Sequence, residues 1–175
     1  MTSSPFVLYQ IETCPDCVKV RRAMAELGIP YERIEVDRAD RSAVRRASGQ
    51  DSVPTLVDRA SSRALHDPAA IVDHLIETHG RERLERIYPG GAAPGMVRIV
   101  ARYFDECLSR LIEPLDEREL RRRLNELDRL LADRQYLFGE HSLADIALFA
   151  QLARHRGELP GDNLRAWMAR MMNRG

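Results

Sequence analysis

The sequence predicts an α/β domain over residues 1–80, with elements in the order βαβ then ββα, followed by an all-helical domain over residues 96–175. Three observations carry that expectation. Two cysteines three residues apart, Cys14 and Cys17, stand between an apolar run and a helical stripe. Gly and Pro crowd into Tyr88–Gly95, and beyond that stretch apolar residues recur at helical spacing.

The first element is Phe6–Gln10, an apolar run that reads as a buried strand, and Ile11–Thr13 reads as a loop. Val18, Val20, Met24 and Leu27 form the apolar stripe of a helix that ends at Gly28. Tyr31–Val36 alternates as a strand does, and a polar helix over about Arg41–Ala47 stops at Gly49. Thr55–Asp58 and Arg63–His66 are short strands around a Ser61-Ser62 turn. Pro68–His79 is an amphipathic helix with Ile71, Val72, Leu75 and Ile76 facing inward.

Residues 81–95 read as a linker, and everything after them reads as helix. Met96–Leu111 carries Val97, Val100, Phe104, Leu108 and Leu111 on one face, while Leu115–Ala132 carries Leu120, Leu124, Leu127, Leu130 and Leu131. These two helices are expected to pair antiparallel. A third helix starts at Ser142, where Asp145 can reach back in a capping box, and a short fourth runs over about Asn163–Met172.

Composition narrows the function classes. The chain has 175 residues, 44% of them hydrophobic, which is ordinary for a water-soluble protein. Its longest apolar neighbourhood, Ile146–Ala153, is interrupted by Gln151 and falls far short of the ~20 residues that span a bilayer, so no membrane partner is expected. Acids and bases balance at a net charge of zero, which argues against a nucleic-acid surface. Lys19 is the only lysine; the arginines are interleaved with acids as helix-surface pairs, such as Glu117 with Arg121 and Glu119 with Arg123. Met1–Pro5 is short and polar, so the expectation is no secretory leader and a cytoplasmic location, where three cysteines do not make a disulfide framework.

Chemistry concentrates at Cys14-Pro15-Asp16-Cys17. Pro15 suits the first turn of a helix, where its missing N–H costs nothing; this puts Cys14 at the cap and Cys17 about one turn further in. A thiolate at the cap feels the positive end of the helix and titrates below a free value near ~8.5. Cys14 is therefore the candidate nucleophile, and only its sulfur is expected at the surface. Cys17, on the same side, is the candidate resolving thiol that attacks a mixed disulfide on Cys14. Asp16 opposes the thiolate, whereas Lys19, Arg21 and Arg22 favour it. A zinc site would need a second ligand pair near the first, and none is visible, so no metal is expected. Cys107 falls in the stripe with Phe104, Leu108 and Leu111 and reads as a small core residue.

A second spot is Ser48–Thr55, where Pro54 stands immediately before a strand. On local sequence alone an ordinary trans Val53-Pro54 bond is the favoured reading. The combination of a CxxC after the first strand, Val-Pro before the third, and a helix capped by Asp67 after the fourth resembles the thioredoxin fold in its glutaredoxin and glutathione S-transferase branch. Residues 1–80 look like the glutathione-binding domain, and the remainder looks like the all-α second domain of glutathione S-transferases. Phe138–Asp145 is similar to that family's second-domain capping box, with His141 where the family has an apolar residue, a change that predicts a weaker cap.

The resemblance implies glutathione as the cofactor. Cys14 would contact its sulfur and Cys17 would resolve; a cis Pro54 would present the Val53 backbone to the cysteinyl unit; Asp67 and Pro68 fall where the family shows an acid followed by serine that hold the γ-glutamyl end. Pro68 lacks the hydroxyl and the N–H of that serine, and the alternative reading of Asp67 is a plain helix cap. Gln50, with Arg45 or Arg46 as charged alternatives, is a candidate for the glycyl carboxylate, a plain turn and a solvated helix face being equally good readings. The function so implied is an enzyme, a glutathione-dependent thiol-disulfide oxidoreductase acting on disulfide or glutathionylated substrates. Two alternatives stand beside it: conjugation of glutathione to electrophilic substrates, and a non-catalytic binding module of the same fold. Family relatives also make a homodimer a possible partner state.

Overall fold

Phe6–Gln10 forms strand β1, and its apolar side chains are covered on both faces of the sheet, as its unbroken hydrophobic run requires. The computed structural model describes residues 4–90, 93–108, 110, 116–155 and 158–174. The chain divides into two units between Arg83 and Leu84. Leu111 and Leu115, read from the sequence as a stripe residue and a helix start, lie outside the described residues, as do Met1–Ser3, Gly91 and Ala92.

In the first unit β1 is followed by helix α1 (Pro15–Leu27), strand β2 (Glu32–Glu35), helix α2 (Ser42–Ser48), strands β3 (Thr55–Asp58) and β4 (Arg63–Leu65), and helix α3 (Pro68–Leu75). The sheet order is β2-β1-β3-β4, with β2 parallel to β1 and the other neighbours antiparallel. This is the mixed four-stranded sheet of a thioredoxin-like domain. Because side chains alternate across a strand, Phe6 and Leu8 share one face and Val7, Tyr9 and Ile11 the other. The first face takes α1 and α3: Phe6 meets His74 of α3 edge to face, and α1 packs on α3. On the second face Ile11 and Tyr9 join Val36 and Val44 of α2.

Helix α1 stops where Gly28 adopts φ +61°, and its N–H returns to the carbonyls of Ala25 and Met24. A β-carbon there would collide with the Arg83 guanidinium, whose Nη1 donates to the Leu27 carbonyl at 2.9 Å. Gly28 thus serves both the left-handed turn and the seat of Arg83. A π-helical turn, Ile76–Gly80, continues α3 and gives way to a 3-10 helix over Arg81–Arg86.

At the end of β3 a buried carboxylate ties the hairpin to α3. Asp58 Oδ1 accepts from the Ala60 and Ser61 amides at 2.9 and 3.2 Å, and Oδ2 accepts from the Ser61 hydroxyl at 2.7 Å and lies 2.9 Å from His74 Nε2. Burial pushes the Asp58 carboxyl up, but the Ser61 hydroxyl, the His74 ring and the two amides more than offset it and hold it down at about 2. Asp58→Ala is expected to cost about 2–3 kcal/mol in denaturant unfolding, because it leaves buried donors unmet. Since the folded value lies below the unfolded value of about 3.9, the contribution is complete above that pH and disappears as pH falls through about 2. Parallel acid titrations of the unfolding midpoint check both points.

In the second unit, helix α4 (Pro94–Tyr103) runs into a π-helical turn over Phe104–Leu108; α5 (Glu117–Leu130), α6 (Leu143–Leu152) and α7 (Asp162–Asn173) follow. Pro94 thus opens a helix inside the stretch read as a linker. The pairing of helices departs from expectation: α4 packs chiefly on α6, and α5 packs on α7. The reason is visible in α6, whose residues are all buried, so it forms the centre against which the amphipathic helices close. Glu119 pairs with Arg123 at 2.9 Å as expected, and also holds Arg122, which bridges to Glu126.

The capping box at Ser142 forms: the Ser142 amide and hydroxyl donate to Asp145 Oδ2 at 3.0 and 2.8 Å. Asp145 Oδ1 accepts from the Leu137 amide at 3.0 Å and from Trp167 Nε1 at 2.8 Å. His141, in the apolar position, is buried, with its ring edge-on to Tyr136 and Nδ1 3.4 Å from the Arg86 carbonyl. Cys107 is half-buried in the π-helical turn, not the core residue that the stripe suggests. Among the described residues no helix is long and apolar enough to cross a membrane.

Candidate active site

The register of the sheet brings three loops to one edge. Tyr9 pairs with Thr55 and Leu56 with Leu65, so the segment after β1, the segment before β3 and the segment after β4 leave the sheet at the same end. Those segments carry Cys14 and Cys17, Val53 and Pro54, and Asp67 and Pro68.

Cys14 is the N-cap of α1, with extended backbone, and Pro15 takes the first helical position. Its amide donates to the Ile11 carbonyl at 3.1 Å, closing the loop from β1, and its carbonyl accepts from Val18 at 2.9 Å. The side chain is half-buried and rests on the Ile11, Val36 and Val44 cluster with Tyr9 and Val53. Cys17 is fully buried, and both are free thiols. The Ile11 amide points at the Cys17 sulfur at 3.5 Å.

This geometry splits the two thiols. The Cys17 S–H donates to the Cys14 sulfur and is the largest influence lowering Cys14; burial and the Asp16 carboxylate oppose it, and the amides of Cys17 and Asp16 assist it. The result for Cys14 is about 6. Cys17 is driven the other way, because it gives its proton to Cys14 and because it is buried, with the Ile11 amide and Arg21 pulling back. At neutral pH the site therefore holds one anionic and one neutral sulfur. Cys17→Ala removes the donated proton and is expected to move the midpoint of Cys14 alkylation upward from about 6, as measured by iodoacetamide labelling across pH.

Arg21 favours the ionised form of Cys17. In the sequence Arg21 is one of three bases near Cys14, and nothing local marks its partners. Arg21 Nη2 donates to the Glu12 carbonyl at 3.0 Å and to its carboxylate at 3.3 Å, while Nη1 donates to the Gln10 side chain. Gln10, buried at the end of β1, donates to Glu35 at 2.6 Å. A polar residue closing an apolar strand was the available signal.

The Val53-Pro54 bond is cis, in keeping with the family resemblance and not with the local reading. Val53 is half-buried and Pro54 buried. Asp67 is the N-cap of α3; Oδ1 accepts from the Ala70 amide at 2.7 Å, and Pro68 takes the first helical position. The Gln50 amide is turned into its own loop, donating to Ser48 Oγ at 2.9 Å and to Thr55 Oγ1 at 2.6 Å. Arg45 is paired with Asp51 at 2.6 Å. Among the described residues no cluster of three or more His, Cys, Asp or Glu side chains is arranged to hold a metal ion.

Residues 8–85 match the family described as glutathione S-transferase, N-terminal domain. Residues 8–85 therefore belong to that domain family. Similarity extends along the chain to solved transferases: glutathione S-transferase 1-6 from Anopheles dirus species B is 25% identical, with a TM-score of 0.74 over 96% of this chain and 89% of that one. A theta class glutathione S-transferase from Xanthomonas axonopodis pv. citri, solved with glutathione bound, is 23% identical, with a TM-score of 0.70 over 96% and 92%. In sequence, chloroplastic glutaredoxin-C4 of Oryza sativa subsp. japonica is 37% identical over 59 residues, which span 31% of this chain and 44% of that protein.

Proposed function

We propose that this protein is a glutathione-dependent thiol-disulfide oxidoreductase working through Cys14. The observation that carries the reading is the pairing of an ionised Cys14 sulfur at a helix start with a protonated, buried Cys17 that hydrogen-bonds to it. A protein that only stabilises the thiolate of bound glutathione has no use for a second thiol behind the first.

In the first step the Cys14 thiolate attacks a disulfide or a glutathionylated substrate; a new S–S bond forms on Cys14, the old one breaks, and the leaving sulfur departs as thiolate. Glutathione or Cys17 then attacks the mixed disulfide and restores or closes the pair. Glutathione is the electron donor in this scheme, and the glutathione bound in the Xanthomonas relative supports that choice of ligand. The Val53 backbone beside the Cys14 patch would pair with the tripeptide, and Asp67 with Pro68 at the same sheet edge would receive its γ-glutamyl end. With no N–H or hydroxyl at Pro68, that end would meet fewer donors than a serine offers, and one Asp67 oxygen already accepts the capping bond from Ala70. Gln50 would reach the glycyl carboxylate only by giving up its loop contacts.

The test is turnover of a small mixed disulfide with glutathione, coupled to a nicotinamide-dependent glutathione reductase, beside conjugation of glutathione to a chlorinated nitroarene. The reading expects disulfide turnover that depends on Cys14. Conjugation that survives loss of Cys17, with no disulfide turnover, would establish the transferase alternative; failure of glutathione to bind at millimolar concentration would leave a binding module.

A further inference from the structure

We propose that Arg21 is the positioning residue for the second half of this exchange: its guanidinium clamps the end of β1 whose Ile11 amide faces the Cys17 sulfur, and so readies Cys17 to attack once Cys14 is tied up. The inference rests on the redox reading above and extends it from the two cysteines to a third residue.

Arg21 stands four residues beyond Cys17 on α1, one helical turn away on the same face. Its side chain is only 15% exposed, and its two terminal nitrogens grip the residues on either side of Ile11: Gln10 through its side chain and Glu12 through both its carbonyl and its carboxylate. Ile11 is thereby held with its N–H on the Cys17 sulfur at 3.5 Å and its carbonyl on the Cys14 amide at 3.1 Å. The clamp thus sits behind the sulfur that is buried and beside the loop that leads to the sulfur that is not.

The two halves of the reaction feel this clamp differently. While Cys14 is a thiolate, it takes the Cys17 proton into a hydrogen bond and keeps Cys17 neutral, so Arg21 has little consequence. When Cys14 becomes a disulfide, that charge and that hydrogen bond vanish together. Burial then opposes ionisation of Cys17, and the Ile11 amide and Arg21 favour it. Other charged groups near the pair include Asp16, Lys19 and Arg22 on α1, Glu12 in the loop, Arg38, which donates to Thr13 beside Cys14 at 3.0 Å, and Arg33 and Glu35 on β2. Glu12, Arg33 and Glu35 are about half exposed and are screened by water, whereas Arg21 is largely shielded. In the resolving step Cys17 loses its proton to solvent, its sulfur bonds to Cys14, and the Cys14–glutathione S–S bond breaks to release glutathione thiolate.

The experiment compares two rates on protein glutathionylated at Cys14 by oxidised glutathione: release of glutathione by closure of Cys17 with no added thiol, and release by added glutathione in the Cys17→Ser background. Arg21→Gln is expected to lower the ratio of the first rate to the second about tenfold and to shift the pH midpoint of closure upward by about one unit, since a tenfold change corresponds to one pKa unit. Arg21→Lys, which keeps the charge, is expected to recover most of the ratio. Equal slowing of both rates, or an unchanged midpoint and ratio in Arg21→Gln, overturns the assignment while leaving Cys14 chemistry intact. Failure of Cys14 to take up glutathione at all overturns the redox reading and this inference with it.

Discussion

Cys14→Ser is expected to abolish disulfide turnover, with a loss of at least about 1,000-fold, the order that follows removal of a covalent nucleophile. Serine at the same cap keeps the shape of the loop, since the bonds that position residue 14 run through its backbone: its amide to Ile11 and its carbonyl to Val18. What disappears is an anion that exists at neutral pH. A hydroxyl at a helix start stays protonated there, whereas the thiol, lowered to about 6 by the Cys17 proton and the first-turn amides, is mostly ionised at pH 7. Cys107, half-buried in the second unit, has no paired thiol and no helix start behind it and is not expected to substitute. Steady-state turnover of a mixed disulfide by the variant is the check.

The second large effect is on stability. Asp145→Ala is expected to destabilise the helical unit by about 3–5 kcal/mol, a large fraction of the 5–15 kcal/mol typical of a whole domain. The Asp145 side chain is fully buried and accepts four hydrogen bonds, from the Ser142 amide and hydroxyl, the Leu137 amide and the Trp167 indole. Truncation strands four donors in the interior and removes the box that starts α6, the helix around which α4 and α7 are built. Trp167, also fully buried, is a built-in reporter: its fluorescence in a urea titration follows loss of the indole partner directly.

What the sequence shows of this fold is what a single element can announce by itself. An apolar run, a CxxC entered through Pro15, and a serine three residues before an aspartate each carry their structure locally, and β1, α1 and the start of α6 stand where those signals put them. Amphipathic stripes say which face of a helix is buried but not against what. The expected pairing of Met96–Leu111 with Leu115–Ala132 therefore gives way to packing on α6, whose unbroken burial from Leu143 to Leu152 is the feature that marks a centre. The same limit applies to polar residues. Gln50 is legible as an amide near a turn, yet its contacts with Ser48 and Thr55 depend on the folded path of the loop. Asp58 with His74, and Arg21 with Gln10, join residues 16 and 11 positions apart across different elements, and from composition each looks like ordinary solvated charge.

The most direct test of the central claim is the intact mass, with peptide mapping, of Cys17→Ser protein exposed to oxidised glutathione at pH 7. The hydroxyl of that variant preserves a donor to Cys14 but cannot resolve a disulfide. The expected product carries a single glutathione on Cys14, formed with a pH midpoint below that of a free thiol and removed by added glutathione. Protein that stays unmodified, or carries the adduct on Cys107 alone, contradicts the account.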